Sequence, residues 1–202
     1  MKNISGTAIV ILLAGLGIGA AYLMQINTTE RIEAHRQALA SRMLLDVLPA
    51  EVYDNQPLAQ PVLTAPVTLA HSTLLNGYLA TRAGQPGAVL LRSQALGYEG
   101  TIELMIAIDP LGRLLGVKTL RQSETPGLGS TIADWPNDWL RRFNGKSLHA
   151  PADSGWALKK DQGQFDQLAG ATVTSRTVLQ AVHDALRYFD EHQAHLTAVT
   201  AQ

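Results

Sequence analysis

Residues 101–121 read Thr101-Ile102-Glu103-Leu104-Met105-Ile106-Ala107-Ile108, Asp109-Pro110-Leu111-Gly112, then Arg113-Leu114-Leu115-Gly116-Val117-Lys118-Thr119-Leu120-Arg121. Two strand-like runs, 101–108 and 114–120, flank a turn. Asp at its first position, Pro at its second and Gly at its fourth suit a type I turn. The stretch therefore predicts a β-hairpin. Upstream, 88–92 (AVLLR) is a further apolar, strand-like run. Downstream, Val178, Leu179, Val182, Leu186 and Phe189 recur at helical spacing and predict a helix over 175–192. Thr174 or Ser175 is the expected cap. Residues 138–143 suggest a short helix stopped near Asn144-Gly145, and 156–160 suggest another strand. The soluble part reads as one α+β domain over 71–202.

Outward from that domain the chain changes character. Residues 4–26 carry no formal charge. At about 1.5 Å rise per residue, a helix of that length roughly matches a ~30 Å hydrocarbon core. A single N-terminal transmembrane helix over 1–27 is expected. A cleaved signal peptide is the rival, but its apolar region is shorter, and Tyr22-Leu23-Met24-Gln25 offers no small-x-small site. Gly15 and Gly19 form a G-x-x-x-G spacing that either admits a partner helix or reflects the abundance of small residues in spans. Lys2 and the amino terminus place the N-terminus inside, so that the remainder faces the periplasm. Residues 28–70 read as a stalk helix, capped by Thr28 or Thr29 and ended by Pro49, followed by an extended connection holding Pro57, Pro61 and Pro66.

Composition removes several chemistries. The chain has 202 residues, 16 Lys+Arg against 17 Asp+Glu, and no cysteine. Disulfides, iron–sulfur clusters and thiol nucleophiles are thereby excluded. The near-neutral charge argues against nucleic acid as a partner. No H-E-x-x-H, G-x-S-x-G or Walker motif occurs, and no metal site is expected. His192 and His195 read as solvated residues near a polar helix end. Trp135, Trp139 and Trp156 are expected in the core.

Two loops remain as chemistry-bearing elements. The first is Glu124-Thr125-Pro126-Gly127-Leu128-Gly129-Ser130. Its Pro and glycines suit either a plain turn or a loop presenting amide N–H groups and Leu128 to a flat ligand. The second is Asp166-Gln167-Leu168-Ala169-Gly170-Ala171-Thr172-Val173-Thr174-Ser175. Small residues precede Thr172, and a helix follows. That suits an ordinary strand-to-helix turn, or a site where a phosphate meets free N–H groups and the positive end of the helix dipole.

An anchor, an ETPGLG loop and a D-x-x-[ST]-G-A-T element, in this order and spacing, resemble the covalent-flavin subunits of membrane electron-transport complexes. These are the G subunits of Rnf/Rsx ion-translocating oxidoreductases and their relatives, the C subunits of sodium-pumping NADH:quinone reductases. The resemblance spans nearly the whole chain and includes Trp156-Ala157-Leu158-Lys159-Lys160-Asp161. It implies an FMN-binding domain in which FMN is joined by a phosphodiester to Thr172, made from FAD by a separate flavin transferase. It implies that Glu124, Thr125, Leu128 and Gly129 line the flavin, with Leu128 on the ring and Thr125 on its polar edge. Gly170 and Ala171 let bulky groups approach, and Asp166 corresponds to the acid of the transferase-recognised element. Ala169 departs from the usual Ser or Thr and removes one hydroxyl. Lys160, or Lys159, is a candidate to place positive charge near the phosphate or reduced flavin; a solvated lysine explains it equally. Thr174 is a competing acceptor that fits a cap better.

The expected function is electron carriage. The chain is read as a single-pass inner-membrane subunit whose periplasmic FMN relays electrons among other membrane, flavin and iron–sulfur subunits of an Rnf-type complex. A cofactor-free, membrane-anchored scaffold is the alternative, and a free-standing flavin reductase is a third reading.

Overall fold

The structure is a computed structural model that describes Ala14 and residues 43–199. The anchor expected over 1–27 and most of the stalk expected over 28–47 lie outside the described residues. Among the described residues, no helix is long and apolar enough to cross a membrane.

The hairpin forms as its sequence dictates. Strands β5 (Thr101–Ile108) and β6 (Leu114–Arg121) pair antiparallel. At the turn the Gly112 N–H donates to the Asp109 carbonyl at 3.0 Å. The Asp109 carboxylate accepts the N–H groups of Leu111 and Arg113, both at 2.8 Å. The apolar run at 88–92 lies within a longer strand, β4 (Gln85–Leu96), which pairs with β5 and with β3 (Thr73–Arg82). Two short strands, β1 (Pro61–Leu63) and β2 (Val67–Thr68), flank β3. The sheet order is β1-β3-β4-β5-β6, with β2 also on β3. Residues 54–70, expected as a plain extended connection, thus contribute edge strands; Pro61 opens one of them, where its missing N–H costs no ladder bond.

A long helix, α1 (Thr172–Leu196), covers one face of the sheet. Val178, Leu179, Val182, Leu186 and Phe189 are buried there with Val89, Leu91, Leu104, Ile106 and Ile108. The alternate residues Leu90, Met105 and Ala107 point to the opposite face, which Val47, Leu48 and Val52 cover. Burial on both faces is why TIELMIAI reads as a continuous apolar run instead of an alternating one. Full burial of each Leu or Ile contributes about 1.5–3 kcal/mol.

Four local expectations are corrected. Helix α1 starts at Thr172, because the Ala171 carbonyl takes the Ser175 N–H at 3.0 Å. Thr174 and Ser175 therefore sit inside the first turn, and neither is the cap. Residues 156–160 do not form a strand. Leu158 makes only an isolated bridge with Phe165, and Lys159–Asp161 is a 3-10 turn. Trp156 is drawn instead into an aromatic cluster, with ring centroids 6.3 Å from Phe143 and 5.1 Å from Phe165. Trp139 belongs to the same cluster, 5.4 Å from Phe143. Trp135 does not: it is 41% exposed, with the Lys118 ammonium 4.8 Å from its ring centre. The short helix expected at 138–143 is the 3-10 turn Leu140–Phe143.

Candidate functional site

Sheet register brings three separate segments together. The turn 97–100 between β4 and β5, the 124–130 loop after β6, and the start of α1 meet at one end of the sheet. Between them lies a cavity of about 560 Å³, within the ~300–1,000 Å³ typical of small-ligand sites. Of the residues singled out from the sequence, Thr125, Leu128, Gly129, Gly170, Ala171 and Thr172 line it. Tyr98 and Glu99 also line it. Nothing in Gly97-Tyr98-Glu99-Gly100 announces this, because their proximity to the helix arises only from the pairing of β4 with β5.

Glu124 stands behind the cavity wall, outside its lining, and is 4% exposed. Its carboxylate ties the three segments to one another. One oxygen accepts the Tyr98 N–H at 2.9 Å and the Glu99 N–H at 3.3 Å. The other accepts the Thr174 hydroxyl in a short hydrogen bond. The glycines around it allow this closeness. A Cβ on Gly97 would lie 2.2 Å from Glu124 Oε1, and one on Gly129 would lie 2.6 Å from Thr174 Oγ1.

Three amides of the 124–130 loop are spent inside it. The N–H groups of Leu128 and Ser130 donate to the Thr125 carbonyl, and that of Gly127 to the Ser130 hydroxyl. The loop therefore offers side chains to the cavity instead of a row of those amides. Leu128, 42% exposed, is the apolar surface it presents. Leu128 also rests on Gly170, whose φ is +72°. A Cβ there would meet Leu128 Cδ2 at 2.8 Å. Gly170→Ala is expected to cost about 1–2 kcal/mol from the left-handed backbone alone and to displace Leu128. Thermal unfolding and the Leu128 methyl shifts check both effects.

Thr172 is the first residue of α1. Its hydroxyl donates to Gln167 Oε1 at 3.0 Å, a partner with no sequence signal. With Ser175 making the first intrahelical bond, the helix start leaves the N–H groups of Thr172, Val173 and Thr174 without intrahelical acceptors. Donors and dipole together favour an anion beside that hydroxyl. Thr174 is different: it is 1% exposed and already donates to Glu124.

Two residues singled out from the sequence lie apart from the cavity. Lys160 is exposed on the 3-10 turn and does not line it. Asp166 lies upstream, paired with Arg142 at 2.7 Å and with Lys159 at 2.9 Å. The hydrogen bond from Lys159, with the Lys159 and Arg142 charges, holds the Asp166 carboxyl below its ordinary value, outweighing desolvation that pushes it up. A depressed folded value contributes stability that is present above the ordinary carboxylate pKa and is lost as pH falls through the lowered value. The stability gap between the parent and Asp166→Asn is therefore expected at neutral pH and should vanish in acid. Chemical denaturation across pH measures it.

A family model described as FMN-binding domain matches residues 97–187, which take in all three site segments. In Pseudomonas aeruginosa, the G subunit of the ion-translocating oxidoreductase complex is 48% identical over 190 residues, covering 93% of this chain and 88% of that protein. The chain belongs to the family of ion-translocating oxidoreductase complex G subunits. Other members of this family include the Shewanella oneidensis protein, 37% identical over 92% of this chain and 88% of its own length. The Vibrio cholerae protein is 38% identical over 93% and 90% respectively. Among solved structures, NqrC of Shewanella oneidensis aligns with a TM-score of 0.48 at 24% identity, covering 61% of each chain.

Proposed function

We propose that this chain is the electron-carrying subunit of an Rnf-type ion-translocating oxidoreductase, and that its cofactor is FMN esterified to Thr172. The observation that carries the reading is the Thr172 hydroxyl at a helix start, inside the cavity that the ETPGLG loop closes. The residues fit the group. The helix start offers N–H donors to a phosphate, Leu128 offers an apolar surface to a ring, and Thr125 offers a hydroxyl to a polar edge. FMN supplies the electron chemistry when bound, while the protein supplies position and electrostatics. Attachment by a flavin transferase transfers the FMN phosphoryl of FAD to Thr172 Oγ1, with AMP as leaving group, loss of the hydroxyl proton and no change of oxidation state. A tether also raises the effective concentration of the ring at its site, so that modest contacts hold it.

The uncharged stretch over 4–26 and the family resemblance support the remaining features. The chain is a single-pass inner-membrane protein with residues 28–202 in the periplasm. It contacts the lipid bilayer and the other flavin and iron–sulfur subunits. Asp166 serves recognition by the transferase, and Lys160 is a solvated surface lysine. The test is intact mass and peptide mapping of the chain made with its transferase. A gain of one FMN less one water on the peptide containing Thr172 is expected. Full flavin occupancy on an unmodified Thr172 overturns the covalent assignment.

A further inference from the structure

The cavity lining is nearly uncharged. Around it stand Tyr98, Thr125, Leu128 and residues 170–174, and Glu99 is the one ionisable acid or base with a formal charge at neutral pH among the described lining residues. Its position is fixed from two directions. Its backbone N–H is held by the buried Glu124 carboxylate at 3.3 Å, and the Gly97 N–H closes the 97–100 turn on the Gly100 carbonyl at 2.7 Å. Its side chain meets the other wall, where the Thr125 hydroxyl donates to Glu99 Oε1 at 2.6 Å. That distance is characteristic of a charge-assisted O–H···O bond.

Two consequences follow from this bond. A hydroxyl has one proton, and that of Thr125 is committed to Glu99; toward anything in the cavity Thr125 turns only lone pairs. A carboxylate in a cavity with no Lys or Arg in its lining also opposes the arrival of further negative charge there.

We propose that Glu99 is a positioning and tuning residue of the redox site. It fixes Thr125 as a hydrogen-bond acceptor and lowers the potential at which a flavin in the cavity accepts electrons. This rests on the reading of the chain as an FMN carrier, and it deepens that reading by assigning the residue that sets the driving force.

The experiment is spectroelectrochemical titration of the full-length, flavin-loaded protein. Glu99→Gln keeps size and turn while removing the charge. Its reduced-to-oxidised ratio at a fixed poise is expected to rise by the order of tenfold, equivalent to about 30 mV for a two-electron couple. Thr125→Val is expected to shift the visible absorption band of the oxidised flavin. Because the Thr125 hydroxyl is what Glu99 holds, adding Glu99→Gln to Thr125→Val should move that band little further. Asp138→Asn, which neutralises an acid whose side chain is 96% exposed and paired with Arg141, is the control and should leave the potential unmoved. Glu99→Asp, which restores the charge on a shorter stem, should return the potential toward the parent value. A Glu99→Gln potential equal to or below the parent's overturns the proposal. A chain that binds no flavin at all sinks the carrier reading instead, so the two failures are told apart before the titration begins.

Discussion

Thr172→Ala, made together with the flavin transferase, is expected to fold normally and to lose all covalently bound flavin. The substitution removes the oxygen proposed as acceptor, so the expected loss is complete instead of graded. Its structural cost is small. Thr172 is only partly buried, and the single bond it forfeits is the one to Gln167, worth about 0.5–1.5 kcal/mol at most. Alanine is a good helix former, which offsets part of that. Intact mass and in-gel fluorescence should therefore go blank while the unfolding transition moves little. The same variant separates carriage from scaffolding. A complex assembled with Thr172→Ala should lose its electron flow. Full activity of that complex would instead support a cofactor-free assembly role. Retention of the flavin mass on a neighbouring residue would point to Thr174, which the buried bond to Glu124 argues against.

The second large effect lies in the core. Phe143 is fully buried, with ring centroids 5.4 Å from Trp139 and 5.1 Å from Phe165. Phe143→Ala removes the ring at the centre of that cluster and should destabilise the protein by about 3–5 kcal/mol. For a chain of this size that is a fall of roughly 6–20 °C in Tm. The damage should also reach the site. Trp139 Nε1 donates to the Asp166 carbonyl at 2.7 Å, so the cluster anchors the segment leading into Gly170-Ala171-Thr172. Slower flavin attachment should accompany the lower Tm, measured by calorimetry and by the time course of the mass increase. A drop of less than about 1 kcal/mol would show that the cluster collapses onto the vacated space and carries little of the fold.

Much of this architecture is written locally. The Asp109-Pro110-Leu111-Gly112 turn fixes the hairpin by local chemistry alone, the Asp109 carboxylate included, and the spacing of Val178 to Phe189 fixes the buried stripe of α1. Thr172, singled out through the G-A-T element, does line the cavity; helical periodicity alone starts the helix three residues later, at Ser175. What local sequence does not show is assembled by register. The Gly97-Tyr98-Glu99-Gly100 turn lies some 70 residues from α1 in sequence, yet it forms a wall of the same cavity. Glu124 reads as a ligand-facing residue of its loop and is instead a buried tie between segments, because only the folded sheet brings the Tyr98 and Glu99 amides to it. Lys160 stands close to the site by its place in the chain, but the 3-10 turn at Lys159–Asp161 carries it to the surface. Trp156 reads as part of a strand for a related reason: what places it elsewhere is a set of aromatic partners that its immediate neighbours do not reveal.

One carboxylate, that of Glu124, clamps a β-turn, a proline–glycine loop and a helix start that would otherwise drift independently. The receptacle is thus shaped ahead of its cargo by bonds that belong to the polypeptide alone. Polar groups already held in place by one another have less to reorient when charge arrives or departs.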